Sequence, residues 1–114
     1  MKFSHDNLVS LKRVYYEAGK LYLQMDLGLK NLGQHKIWCH TKDRPFTESK
    51  ISSFIKDIAK GLDYMHSLGY IHRDVKPENL ILCENDSLKI ADFGTSKSFS
   101  KEKPNTGYVS TRWY

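Results

Sequence analysis

The residue types that could do chemistry crowd into one stretch, His72-Arg73-Asp74-Val75-Lys76-Pro77-Glu78-Asn79, and resume a short way downstream at Asp92-Phe93-Gly94. Two carboxylates, an amide oxygen and an ammonium group are the working polar groups of phosphoryl transfer to a hydroxyl. That reaction needs a carboxylate near the acceptor proton, divalent metal on the phosphate oxygens, and a positive group where charge redistributes. Asp74, Asn79, Asp92 and Lys76 meet those demands together. Taken singly, each would be an ordinary surface loop residue; the set, in this order, carries the reading.

Elements must hold these groups in place. Leu80-Ile81-Leu82 and Leu88-Lys89-Ile90 bracket Glu84-Asn85-Asp86-Ser87 and read as a hairpin, which puts Asn79 and Asp92 at adjacent strand ends. Upstream, Thr47 caps a helix with Glu48 in its first turn, where negative charge is favourable. From Ile51 the apolar residues Phe54, Ile55, Ile58, Ala59, Leu62 and Met65 recur on one face as core packing, and Gly69 supplies the stop. This helix presents the loop that begins at His72. Leu8 to Tyr16 and Lys20 to Asp26 read as two strands joined by a turn at Glu17-Ala18-Gly19. Gln34 to Pro45 is polar with no sustained period and reads as a loop.

On these motifs the chain resembles a protein kinase, and Lys76, following Asp74 and Val75, is the choice of the serine/threonine type. Thr106-Gly107-Tyr108-Val109-Ser110-Thr111-Arg112-Trp113-Tyr114 resembles the activation-loop end of the mitogen-activated and cyclin-dependent kinase group, closest to the male-germ-cell-associated and intestinal-cell kinase branch. The resemblance implies an α+β, protein-kinase-like fold in part: last small-lobe strands over 1–26, hinge over 27–33, and the large-lobe portion through the activation loop over 34–114. It implies ATP and Mg²⁺ as cofactors, protein substrates phosphorylated on Ser or Thr with proline directly after the acceptor, and an upstream activating kinase. Asp74 is then the base or the group orienting the acceptor hydroxyl, Lys76 neutralises the transferred phosphoryl, and Asn79 and Asp92 hold the metal.

By the same resemblance Met25 guards the back of the nucleotide pocket, Asp26 offers a carbonyl and Gly28 an amide and carbonyl to adenine. Asn31 reaches the ribose, Ile81 forms the apolar floor and Ala91 lines the pocket before Asp92. Thr111 bonds Asp74 and Lys76, while Arg73 and Arg112 answer phosphate on Thr106 and Tyr108. One departure stands out: Thr95-Ser96-Lys97 follows Gly94 where this branch usually carries Leu-Ala-Arg. No glycine-rich phosphate loop, Val-Ala-x-Lys strand or Ala-Pro-Glu segment lies within the chain, so the 114 residues by themselves are expected to be marginally stable and to transfer little phosphate. The competing reading is a kinase-derived fragment that binds partners without catalysis.

The net charge of +5 arises from 18 basic residues dispersed among 13 acidic ones, with no basic block, so nucleic acid is not an expected partner. Cys39 and Cys83 lack CxxC spacing and suit reduced thiols of a cytoplasmic or nuclear protein. His35, Cys39 and His40 lack a fourth ligand at zinc-finger spacing and are read as part of the loop. No apolar run approaches bilayer length, so no membrane partner is expected either.

Overall fold

The computed structural model describes residues 3–99. The roles expected for Thr106, Tyr108, Thr111 and Arg112 fall outside the described residues. Strands β1 (Leu11–Glu17) and β2 (Lys20–Met25) form an antiparallel hairpin with Glu17 opposite Lys20. Ala18 and Gly19 between them both have positive φ, 47° and 76°, as a tight two-residue turn matched to strand twist requires. The first strand begins at Leu11 rather than Leu8. The preceding segment spends its backbone groups elsewhere: the Val9 N–H donates to the Ile90 carbonyl and the Ile90 N–H to the Asn7 carbonyl, each at 2.9 Å.

Within the segment expected to be the hinge, β3 (Lys30–Asn31) pairs antiparallel with β5 (Leu80–Leu82), which in turn pairs with β6 (Leu88–Ile90). This docks the hinge on the hairpin that follows the candidate catalytic loop. Between β3 and β5 lie helices α1 (Leu32–Thr41) and α2 (Glu48–Ser67) and the short strand β4 (Tyr70–Ile71). The last of these pairs antiparallel with β7 (Lys97–Ser98).

Helix α1 corrects the expectation of a loop over Gln34 to Pro45. Its apolar residues follow no period: Cys39 is buried, whereas neighbouring Ile37 and Trp38 are exposed. It is held instead by a capping box, in which the Gln34 N–H donates to Asn31 Oδ1 at 2.8 Å and Gln34 Oε1 accepts from the Asn31 N–H at 3.0 Å. Packing against a 3-10 turn at Pro77–Asn79 supports it further. The sequence boundary of the hinge at residue 33 therefore falls inside the first turn of this helix.

Helix α2 starts and stops where its sequence signals lie. Thr47 Oγ1 accepts the Lys50 N–H, and Gly69 leaves the helix with φ 76°. Its apolar stripe, however, is split. Phe54 and Met65 are buried and Ile58 and Leu62 pack on the core, but Ile51, Ile55 and Ala59 face outward. The core joins Phe3, Leu8, Met65, Leu80 and Ile90, with Phe54, Leu82 and Leu88 as a second cluster along the same helix. Among the described residues no helix is long and apolar enough to cross a membrane.

Candidate active site

The catalytic loop leaves β4 at Ile71 and re-enters regular structure at the 3-10 turn, whose first residue, Pro77, suits the start of a helical turn. Within this loop Asp74 is the hub. Its Oδ2 lies 2.8 Å from Lys76 Nζ and accepts from Asn79 Nδ2 at 3.0 Å, while the same amide donates to the Asp74 carbonyl at 2.9 Å. Asp74 and Asn79 are buried. The carboxylate raises the Lys76 pKa above its ordinary value through this contact, so the lysine is held as a cation. With its nitrogen turned to Asp74, Asn79 could offer its amide oxygen to a cation.

The β5–β6 hairpin then brings the second carboxylate alongside. Leu80 lies opposite Ile90, and one step outward the Ala91 N–H donates to the Asn79 carbonyl at 2.8 Å. Asp92 follows directly, exposed, with Oδ1 accepting the Gly94 N–H at 3.2 Å. His72 ties the two loops together: Nε2–H donates to the Ala91 carbonyl at 3.0 Å, and Nδ1 accepts the Asp74 N–H at 3.3 Å. Burial pushes its pKa below the ordinary 6.5, which favours the neutral ring that this donor–acceptor pattern requires. Phe93 packs edge-on against the His72 ring and against Phe3. Arg73 and Asp92 both adopt the left-handed backbone conformation, φ 69° and 59°. Each such residue costs on the order of 1–3 kcal/mol without glycine, so contacts around them must hold them.

The residues expected around a nucleotide converge on one cleft. Met25, Asp26, Gly28, Asn31, Ile81 and Ala91 all line a cavity of about 370 Å³, and Met25 and Ala91 continue into a neighbouring one of about 440 Å³ with Asp92 and Phe93. Glycine at 28 lets the backbone pass close to Ile81, since a Cβ there would overlap Cγ2 of Ile81 unless that side chain turned away. The Asn31 side chain caps α1 from the rim of this cleft. Asp26 has a second role: its carboxylate contacts Lys12 Nζ and Lys89 Nζ, each at 2.8 Å, and accepts the Ser10 N–H at 2.9 Å. The Lys12 contact first, then Lys89, holds its carboxyl well below the usual range.

A family model described as protein kinase domain matches residues 1–114. The chain belongs to the protein kinase family. It is similar to cyclin-dependent kinase F-4 of Oryza sativa subsp. japonica, with 43% identity over 99% of this chain and 24% of that protein. It is also similar to the serine/threonine-protein kinases MAK of Mus musculus, 39% identical, and ICK of Rattus norvegicus, 40% identical, each over 99% of this chain and 18% of the relative. The group and branch suggested by the motifs are those of these relatives, and the α+β fold is that of a partial kinase domain. The chain spans about a quarter or less of the length of these curated relatives.

Three features of this kinase site had no signal in the motifs. The Thr95 hydroxyl donates to the His72 carbonyl at 3.0 Å, and Arg73 Nε donates to the Thr95 carbonyl at 2.6 Å. The guanidinium expected to meet phosphate is thus already anchored through Nε. The Asp26 carboxylate links the end of β2 to β1 and β6, the latter across a separation no local pattern reveals. Asn7 is buried with Nδ2 donating to the Leu88 carbonyl at 3.0 Å. Outside the site, His35 and Cys39 meet at 3.8 Å on α1, and among the described residues no group of three or more His, Cys, Asp or Glu could hold a metal.

Proposed function

We propose that this chain is the central part of an ATP- and Mg²⁺-dependent serine/threonine protein kinase that phosphorylates protein substrates at residues followed by proline, under an upstream activating kinase, in the cytoplasm or nucleus. The observation that carries the reading is the Asp74–Lys76–Asn79 cluster, joined by the Asn79–Ala91 hydrogen bond to the residue before Asp92, which itself lines the cleft shared with Met25 and Ala91. Asp74, with its backbone N–H fixed by His72, would receive the acceptor hydroxyl and orient or take its proton. Lys76, charged and within reach of the same carboxylate, would face the oxygens of the transferred group.

The donor set fits Mg²⁺. Asn79 and Asp92 offer two hard oxygen ligands and no sulfur or imidazole, which suits an ion completing its shell with water and phosphate oxygens. Bound there, Mg²⁺ would neutralise phosphate charge. Asp26 and Gly28 support the ATP assignment, since both line the cleft that Ile81 also lines. Preference for proline rests on Val109 in a segment outside the described residues. An unusual backbone there, leaving no partner for a substrate amide, would favour a residue without N–H.

The test is steady-state phosphorylation of a peptide array by the full-length protein with Mg²⁺-ATP. Transfer to Ser or Thr ahead of proline is expected, abolished in Asp92→Asn with the fold intact. Asp74→Asn should lower kcat with little change in nucleotide affinity. Near-normal turnover in Asp74→Asn would remove the role given to that carboxylate, and binding of partners without any transfer would favour the non-catalytic reading.

A further inference from the structure

Thr95 is the first residue of the segment that departs from the branch, and the structure gives it contacts an apolar residue could not make in full. Its carbonyl accepts Arg73 Nε–H at 2.6 Å, which any residue could allow. Its hydroxyl donates to the His72 carbonyl at 3.0 Å, which leucine could not do. At the other end of the same segment, the Ala91 carbonyl accepts from His72 Nε2–H at 3.0 Å. The stretch from Ala91 to Thr95 is thereby pinned at both ends to His72 and Arg73. Between the pins lies Asp92, in the left-handed conformation, and Arg73, also left-handed, lies against them. A turn closed by the Ser96 N–H on the Phe93 carbonyl at 3.0 Å keeps the segment short.

We propose that Thr95 is a positioning residue whose hydroxyl latches the metal-binding loop onto the catalytic loop, so that the Asp92 carboxylate is held beside Asn79 before metal and nucleotide arrive. The proposal rests on the kinase reading of this site. It differs from a packing role because the hydroxyl hydrogen bond, and not the volume of the side chain, carries the effect. Losing one such bond corresponds to a change of roughly 3- to 10-fold in an equilibrium that depends on it. That equilibrium is capture of the cation by a correctly held Asp92.

The experiment compares full-length wild type, Thr95→Val and Thr95→Ser. In peptide phosphorylation, Thr95→Val should raise the half-saturating Mg²⁺ concentration about 3- to 10-fold, while Thr95→Ser stays within about twofold of wild type. Amide hydrogen exchange, read without reference to activity, should quicken in Thr95→Val at both Asp74 and Gly94 but not within β5 and β6, and should be restored in Thr95→Ser. Unchanged Mg²⁺ dependence, or unchanged exchange at Asp74, overturns the latch. Should Thr95→Val fail to fold, Thr95→Ala carries the same comparison. Wild type that transfers no phosphate at any Mg²⁺ concentration overturns the kinase reading instead, and the exchange measurement then decides the latch alone.

Discussion

Gly61 sits inside the twenty-residue helix α2, where glycine costs roughly 1 kcal/mol relative to alanine, so propensity alone says that Gly61→Ala should stabilise the protein. Packing says the opposite. A Cβ at this position would stand 2.9 Å from the Asn7 carbonyl oxygen, 3.0 Å from Ile90 Cδ1 and 3.1 Å from Leu8 Cδ2. The side-chain methyls could give way, but the carbonyl cannot move freely. It accepts the Ile90 N–H at 2.9 Å, and the Asn7 side chain is tied to Leu88. Overpacking of this kind costs about 1–3 kcal/mol, and a clash on anchored backbone belongs at the upper end, leaving a net loss of roughly 1–2 kcal/mol after the propensity gain. Urea denaturation of the full-length protein should show a midpoint lowered by about 0.5–1 M at unchanged slope. Ala59→Gly, at an exposed site of the same helix, calibrates the propensity term and should cost about 1 kcal/mol. A Gly61→Ala midpoint equal to or above wild type would refute the close approach of the Asn7–Val9 segment to α2.

Two further outcomes follow from the charges. Asp26→Asn keeps an acceptor for the Ser10 N–H but removes the pairs with Lys12 and Lys89; because Lys12 is 56% exposed and Lys89 only 22%, most of an expected loss of about 1–2 kcal/mol belongs to Lys89. The difference between wild type and variant, measured by urea denaturation, should shrink at about 1 M salt. For His72, burial lowers the folded pKa below the ordinary 6.5, so the unfolded chain binds a proton that the folded chain resists. Stability from this group is therefore complete above 6.5 and declines as pH falls through 6.5 toward the folded value. Asp26 leaves that window undisturbed, since its contribution fades only below its ordinary 3.8. Burial also lowers the His35 pKa, with the same sign, so urea midpoints at about pH 5.5 should lie below those at about pH 7.5, the difference should shrink in His72→Gln, and equal wild-type midpoints would contradict the buried neutral ring.

What could be read from the residues was whatever local rules determine. The β5–β6 hairpin was legible because two short apolar strands flank a polar turn. Its register then makes Asn79 and Ala91 neighbours without further information. Helix α2 was legible from Thr47, its apolar period and Gly69. Helix α1 was not, because Ile37, Trp38 and Cys39 define no face; the pairing of Asn31 with Gln34 was the one local sign of its start. The stripe on α2 shows a different limit. Periodicity says which residues share a face, whereas covering that face is a matter of tertiary packing, and Ile51 and Ile55 remain exposed. The bonds of Thr95 to His72 and of Lys89 to Asp26 join residues 23 and 63 positions apart, beyond any window of local pattern.

The two left-handed residues explain why those distant bonds matter most at the site. Arg73 and Asp92 would each adopt their conformation more cheaply as glycine, yet both positions need a side chain, one to reach Thr95 and the other to offer a carboxylate. The strain is of the order of 1–3 kcal/mol per residue, and a single neutral hydrogen bond contributes only about 0.5–1.5 kcal/mol. A single neutral bond offsets only the lower part of that range, whereas the set formed by His72 with Ala91, Arg73 with Thr95, whose donor is charged, and Thr95 with His72 is of a size to hold both. All three run between the loop of residues 72–79 and that of residues 91–96. Each loop is therefore held by bonds to the other as well as by its own, and a change in one bears on the carboxylate carried by the other.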